Sequence, residues 1–266
     1  MRPGRPAKEI VIPGTLAYWR FDAGGANGTP FTAGQTVADQ SGHGNDLSVL
    51  MTVPGSASNA LTWSDDYHPD QPGHGSLYFD AGQNPLHGAW LETAGGAPLN
   101  SEAFRDGYTF EAFIKIPTDW DPADNSWAAV LSRWGESGQA GKSGRGTDPQ
   151  EPIVTLSLSN GREPQWNVYP LNLNDPTTNW GQGLPEDTWC HLAVVNDGDR
   201  TVMYVEGCPT VDNPSTRGIG LTQLNLPWAL GGYEYGGSIN QIVHGWIGDV
   251  RIVNRALRVD EFMIAR

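Results

Sequence analysis

Between Val37 and Leu47 the chain reads Val37-Ala38-Asp39-Gln40-Ser41-Gly42-His43-Gly44-Asn45-Asp46-Leu47, a carboxylate followed by a turn with two glycines. Hard cations take several oxygen ligands, and Gly-rich turns free backbone carbonyls to supply them. The Asp39 carboxylate and the carbonyls of residues such as His43 and Asn45 therefore make a candidate calcium-binding turn, with Asp22 as a weaker extra ligand. The plain alternative is that Asp39 caps its own turn. A second set is aromatic. Sugar recognition needs an aromatic plate for the apolar face of a pyranose and polar groups for its hydroxyls. Trp134, Trp166, Tyr169 and Trp180 fall at strand ends or in long loops, accompanied by Arg133, Gln165, Asn167, Asn172, Asn174 and Asn179. Against this stands ordinary core packing, the expected role of Trp19, Trp189 and Trp246.

Other chemistry is poorly supported. The six histidines are dispersed, and zinc sites want Cys and His at close spacing. His68 and His74 share one loop with Asp65 and Asp70, where a solvated polar loop is the simpler reading. No Gly-x-Ser-x-Gly elbow occurs, and Gly138 to Gly146 holds a Gly-Lys-Ser triplet without the glycine a phosphate-binding loop requires.

These residues must be positioned by strands. Glycine (34) and proline (20) make up about a fifth of the 266 residues without any period, which disfavours long helices and collagen. Aromatic residues at 10 % give the chain material for a core. Short apolar and aromatic alternations separated by turn clusters predict an antiparallel sandwich. Strands are expected at residues 16–21, 76–79, 108–116, 128–132, 153–158 and 245–253, with a short helix or turn over 257–265. Trp189 to Val195 and Thr201 to Val205, joined through Asp197-Gly198-Asp199, predict a hairpin whose Asp-Gly turn supplies positive φ. In that hairpin Cys208 falls one or two residues past the position facing Cys190, within disulfide reach if the strand bends at Gly207 and Pro209. A disulfide would imply export; two reduced core cysteines are the alternative. Long loops are expected at 23–36, 54–74, 117–126, 135–151 and 170–187.

Three widely spaced stretches carry a resemblance. They are Ala17-Tyr18-Trp19-Arg20-Phe21-Asp22 with the Asp39 loop, then Phe110-Glu111-Ala112-Phe113-Ile114-Lys115. The third runs from Trp189-Cys190-His191-Leu192-Ala193-Val194 through Tyr204-Val205-Glu206-Gly207 to the 245–257 stretch. In this order they resemble the laminin-G-like jelly-roll domains of the concanavalin A-like lectin and glucanase group. The resemblance implies an all-β, two-sheet antiparallel jelly-roll sandwich over residues 15–266, preceded by a linker over 1–14. It also implies that a carboxylate on the closing strand, Asp249, joins Asp39 in a structural calcium site; otherwise Asp249 pairs with Arg251 or solvent. His191 is implied to make a structural hydrogen bond. The glucanase pattern Glu-x-Asp-x-x-Glu is absent, and Gln241-Ile242-Val243-His244 matches a lyase strand only faintly.

A formal net charge of −14 argues against nucleic acid or an anionic membrane surface, since both need compensating Lys and Arg. No apolar run is long enough to span a bilayer, and the basic, Pro-rich Met1 to Lys8 reads as linker, not signal peptide. The expectation is a secreted, non-catalytic module of a larger parent chain, binding carbohydrate or an extracellular surface and holding a structural calcium. A docking or stabilising domain of a secreted hydrolase is the alternative, ahead of a glycosidase or polysaccharide lyase.

Overall fold

Alternation of side chains writes the longest strands directly. Along Tyr108–Lys115, Phe110, Ala112 and Ile114 enter the core while Thr109, Glu111 and Phe113 take the opposite face. The structure is a computed structural model and describes residues 10–22, 25–133, 154–168, 177–179, 181–213, 226–235 and 238–264. In chain order the strands are β1 (Thr15–Trp19), β2 (Leu47–Thr52), β3 (Leu61–Ser64), β4 (Ser76–Phe79), β5 (Gly82–Gln83), β6 (Leu86–His87), β7 (Ala89–Thr93), β8 (Tyr108–Lys115), β9 (Ala129–Arg133) and β10 (Val154–Leu158). They continue as β11 (Pro164–Val168), β12 (Thr177–Asn179), β13 (Trp189–Asn196), β14 (Thr201–Val205), β15 (Cys208–Asn213), β16 (Trp228–Leu230), β17 (Gly232–Tyr235), β18 (Ser238–Ile242) and β19 (Gly245–Val253). One helical turn, α1 (Pro122–Asn125), precedes β9.

Two large antiparallel sheets result, with β5-β6 and β17-β18 as separate two-stranded pairs. The first runs β15-β14-β13-β8-β19-β4-β3, with β1 also paired to β19; the second runs β12-β11-β10-β9-β16-β7-β2. This is the two-sheet jelly-roll sandwich expected from the sequence. Between the sheets the rings of Phe110, Trp166 and Trp228 meet at 4.9 and 5.3 Å between centroids, with Phe104 and Tyr108 beside them. Contacts of this kind add roughly 0.5–1.5 kcal/mol per pair beyond area burial.

The outer face of the first sheet carries a second layer. Leu257, Phe262, Met263 and Ile264 pack there on Tyr18, Phe113, Trp189 and Val253, together with Ile10 and Ile12. Arg251 pins this layer: it bonds the Glu111 carboxylate, the Ile10 carbonyl (2.7 Å) and the Glu261 carbonyl (2.7 Å). Burial works to raise the Glu111 pKa, but Arg251, His191 and the Met263 N–H together hold it below the ordinary carboxylate range. His191 takes the structural role implied for it, its Nε2 lying 3.0 Å from Glu111 Oε1.

The Asp-Gly hairpin forms as expected, with Gly198 at φ 95° and Asn196 facing Thr201. The disulfide does not. Glu206 and Gly207 both adopt positive φ (51° and 63°), a tight turn that starts β15 at once on the far side of β14. Cys190 instead faces the core, Cys208 is exposed, and the two thiols are not bridged. The argument for export from a disulfide goes with it. Loop 54–74 contains β3 and loop 170–187 contains β12, while the Gly138 to Gly146 stretch lies outside the described residues.

Candidate functional site

The Asp39 turn is built from backbone hydrogen bonds. Its carboxylate accepts from the N–H groups of Tyr18 (3.0 Å), Ser41 (2.9 Å) and Asn45 (3.0 Å), so it staples β1 to the turn. The Asn45 carbonyl is taken by the Trp19 indole N–H (2.7 Å), and the Asn45 amide bridges Leu16 and Leu99. His43 Nδ1 lies 3.1 Å from the Ser41 hydroxyl. Asp249 belongs to a different network. Its Oδ2 accepts from the Tyr18 hydroxyl (2.5 Å) and faces His74 Nδ1 (2.7 Å). Asp39, His43 and Asn45 thus share one turn, whereas the Asp249 carboxylate sits with Tyr18 and His74, and Asp22 pairs with Arg20. His68 and His74 do not converge either, since His68 Nε2 faces Glu206 (3.3 Å). Among the described residues no group of three or more His, Cys, Asp or Glu could hold a metal ion.

Two of the expected ligand contacts are core residues. Trp166 is 0 % exposed, and its indole donates to the Tyr108 hydroxyl at 3.1 Å. Arg133 is equally buried, with its guanidinium 5.7 Å from the Trp228 ring and donating to the carbonyls of Glu102 (2.8 Å) and Asn100. Burial pushes its pKa down to about 10, against the opposing Glu102 charge. Strand parity explains Trp166: it and its neighbours Gln165 and Asn167 alternate, so an inward indole sends the amides to the opposite face. Trp134, Tyr169, Asn172, Asn174 and Trp180 lie outside the described residues, as does the side chain of Asn179. Of the tryptophans expected in the core, Trp19 and Trp189 are buried. Trp246 is half-buried beneath Lys115 Nζ, 4.8 Å from its ring.

The outward face of the second sheet carries a polar row. Asn167 faces Thr155, Thr155 faces Ser132, and beyond Ala229 comes Glu92, all buried. The Trp90 indole donates to the Glu92 carboxylate at 2.7 Å, and burial raises the Glu92 pKa against that bond.

One aromatic was missed. Trp127 is 43 % exposed, the only tryptophan among the exposed large apolar side chains of the described residues. Its backbone sits at φ 66°, a left-handed conformation costly for a bulky L-residue. The surroundings dictate this. Asp121 caps α1 through the Ala123 N–H (2.8 Å), and Asp124 Oδ1 accepts from the N–H groups of Gln83 and Asn84 (2.6 Å each). Gln83 Nε2 then donates to both the Ser126 carbonyl (2.7 Å) and Gln241 Oε1 (2.9 Å). The chain is thus clamped to β5 on one side of Trp127 and enters β9 on the other. An indole presented to solvent can stack on the apolar face of a sugar ring. The available sequence signal was a tryptophan closing the turn-rich stretch Asp119-Trp120-Asp121-Pro122-Ala123-Asp124-Asn125-Ser126, next to a loop already expected at 117–126.

A sequence family described as the concanavalin A-like lectin/glucanases superfamily matches residues 89–262. The chain belongs to that superfamily. No curated protein matches it. Among solved structures, domain 4 of AbnA, a GH43 extracellular arabinanase from Geobacillus stearothermophilus in complex with arabinotriose, is similar at TM-score 0.54 and 14 % identity, covering 93 % of this chain and 95 % of that one. Trypanosoma rangeli sialidase matches at TM-score 0.54 and 15 % identity, over 97 % of this chain but 34 % of its own. The binding domain of botulinum neurotoxin serotype G matches at TM-score 0.56 and 13 % identity, over 93 % and 49 %. This lectin-like chain spans about a third of the sialidase and half of the neurotoxin domain. At these identities the likeness speaks to fold.

Proposed function

We propose that this superfamily member is a non-catalytic carbohydrate-binding module whose ligand stacks on Trp127. The observation that carries the reading is an exposed indole whose unfavourable backbone conformation is maintained by hydrogen bonds on its flanks. Strain of that kind costs roughly 1–3 kcal/mol and persists where surrounding structure over-determines it, commonly at ligand sites. The AbnA domain, similar over nearly its whole length and solved with arabinotriose, supports the ligand class. A binding role is supported further by the buried carboxylates of Asp39, Glu111 and Asp249, each engaged in bonds that tie strands together. The net charge of −14 favours neutral glycans over acidic ones.

The test is a glycan array on the wild-type chain and Trp127→Ala, followed by calorimetry on any hit. Binding by the wild type that disappears in the variant, with folding intact, is the expected result. Unchanged binding by the variant removes Trp127 from the site, and a silent array turns the reading towards a docking domain.

A further inference from the structure

Edge strands of different sheets leave a second opening. β2 closes one side of the second sheet and β3 one side of the first, and between them lies a cavity of about 220 Å³. Its floor is apolar, formed by the buried side chains of Phe31, Ala60, Leu61 and Ala89. Its rim carries the hydroxyls of Thr32, Thr52 and Ser58, which form no hydrogen bond with another described residue. No charged residue lines it, and it shares no residue with the Trp127 surroundings.

The lining restricts the occupant. Ligand sites for drug-sized molecules begin near roughly 300 Å³, so this cavity takes a molecule of about ten to twelve non-hydrogen atoms. A carboxylate or ammonium pressed onto that apolar floor would be desolvated without a partner, which disfavours acidic and amino sugars seated that way. An ordinary hexose would set its hydroxymethyl oxygen against the floor unpaired, losing a hydrogen bond it makes in water. A methyl group in that place gains from burial instead. We propose that this cavity is a second binding site, for a neutral 6-deoxyhexose unit seated with its methyl group on the Phe31, Leu61, Ala60 and Ala89 floor. Its ring hydroxyls exchange hydrogen bonds with Thr32, Thr52 and Ser58. The inference goes beyond the Trp127 reading and stands on different residues.

The experiment is an NMR titration of the full chain, following methyl and indole N–H signals, with L-fucose, L-rhamnose, D-glucose and D-glucuronate, each to tens of millimolar. Saturable shifts at the Leu50 and Leu61 methyls with one or both deoxyhexoses are expected, with D-glucose about tenfold weaker and D-glucuronate silent. The double variant Thr52→Val with Ser58→Ala, both on the exposed rim, should weaken deoxyhexose binding about tenfold, and Trp127→Ala should leave it unchanged. The proposal is overturned by flat Leu50 and Leu61 signals, by glucose binding as well as the deoxyhexoses, or by a double variant that binds normally. Shifts confined to the Trp127 indole would overturn it too while leaving the Trp127 reading in place.

Discussion

Replacing Trp127 by alanine and by glycine separates two roles of that residue. At φ 66° an L-residue carries a penalty of about 1–2 kcal/mol, which glycine does not. Elsewhere in a folded chain glycine is the worse choice by roughly 0.5–1 kcal/mol. If the clamp through Gln83 and Ser126 imposes the left-handed backbone, the order reverses: Trp127→Gly should be more stable than Trp127→Ala by about 1 kcal/mol. For a chain of this size that is a melting temperature about 2–4 °C higher, read by differential scanning calorimetry. Both variants lose the same half-buried ring, so its packing cancels in the comparison. Both should also lose the ligand. With 43 % of the side chain exposed, about 100 Å² of indole is available for a sugar to cover. At about 25 cal/mol per Å² this amounts to about 2.5 kcal/mol, an affinity loss between tenfold and a hundredfold by titration calorimetry. Alanine equal to or more stable than glycine would refute the clamp. Unaltered affinity in both would refute the stacking.

Arg133→Met should lower stability by about 3 kcal/mol by stranding the Glu102 and Asn100 carbonyls, measured by denaturant unfolding, without affecting glycan binding. Acid should unfold the chain from the carboxyl side. Glu111, Glu206 and Glu261 are all held below their ordinary value of 4.5, Glu261 at about 2 by Arg255 and Arg258. Their stabilisation is therefore complete above pH 4.5 and drains away as pH falls through the lower folded values; a melting temperature flat from pH 5 to 2 would contradict this. Thiol titration should find two thiols in denaturant and prompt reaction only at the exposed Cys208 in the native state. Burial pushes the Cys190 thiol up to about 12, and reductant should leave the melting temperature unchanged. Asp39→Ala, which strands three backbone N–H groups, should cost about 2–4 kcal/mol by chemical denaturation.

The longest strands and the all-β class were legible in the residues alone. Period-two alternation in Tyr108–Lys115 and Trp189–Asn196 is a local property, and so is the positive φ that Gly198 supplies to its hairpin. The Asp39 turn was likewise legible as a tight loop, and its carboxylate accepts from the backbone donors of that loop. Tertiary structure alone decided which face of each strand is inward and which loop residue meets solvent. Trp166, in the middle of β11, and Trp127, just before β9, are the same residue type, yet one is sealed between sheets by Phe110 and Tyr108 while the other is turned outward. That choice rests on Gln83, some forty positions away in the chain, holding the Ser126 carbonyl, and no local pattern encodes such a partner. Cys208 makes the same point. Its spacing from Cys190 permitted a bridge, and the turn at Glu206 and Gly207 carried it to the far side of β14. Local alternation sets what a segment can be, whereas long-range pairing sets what each side chain touches.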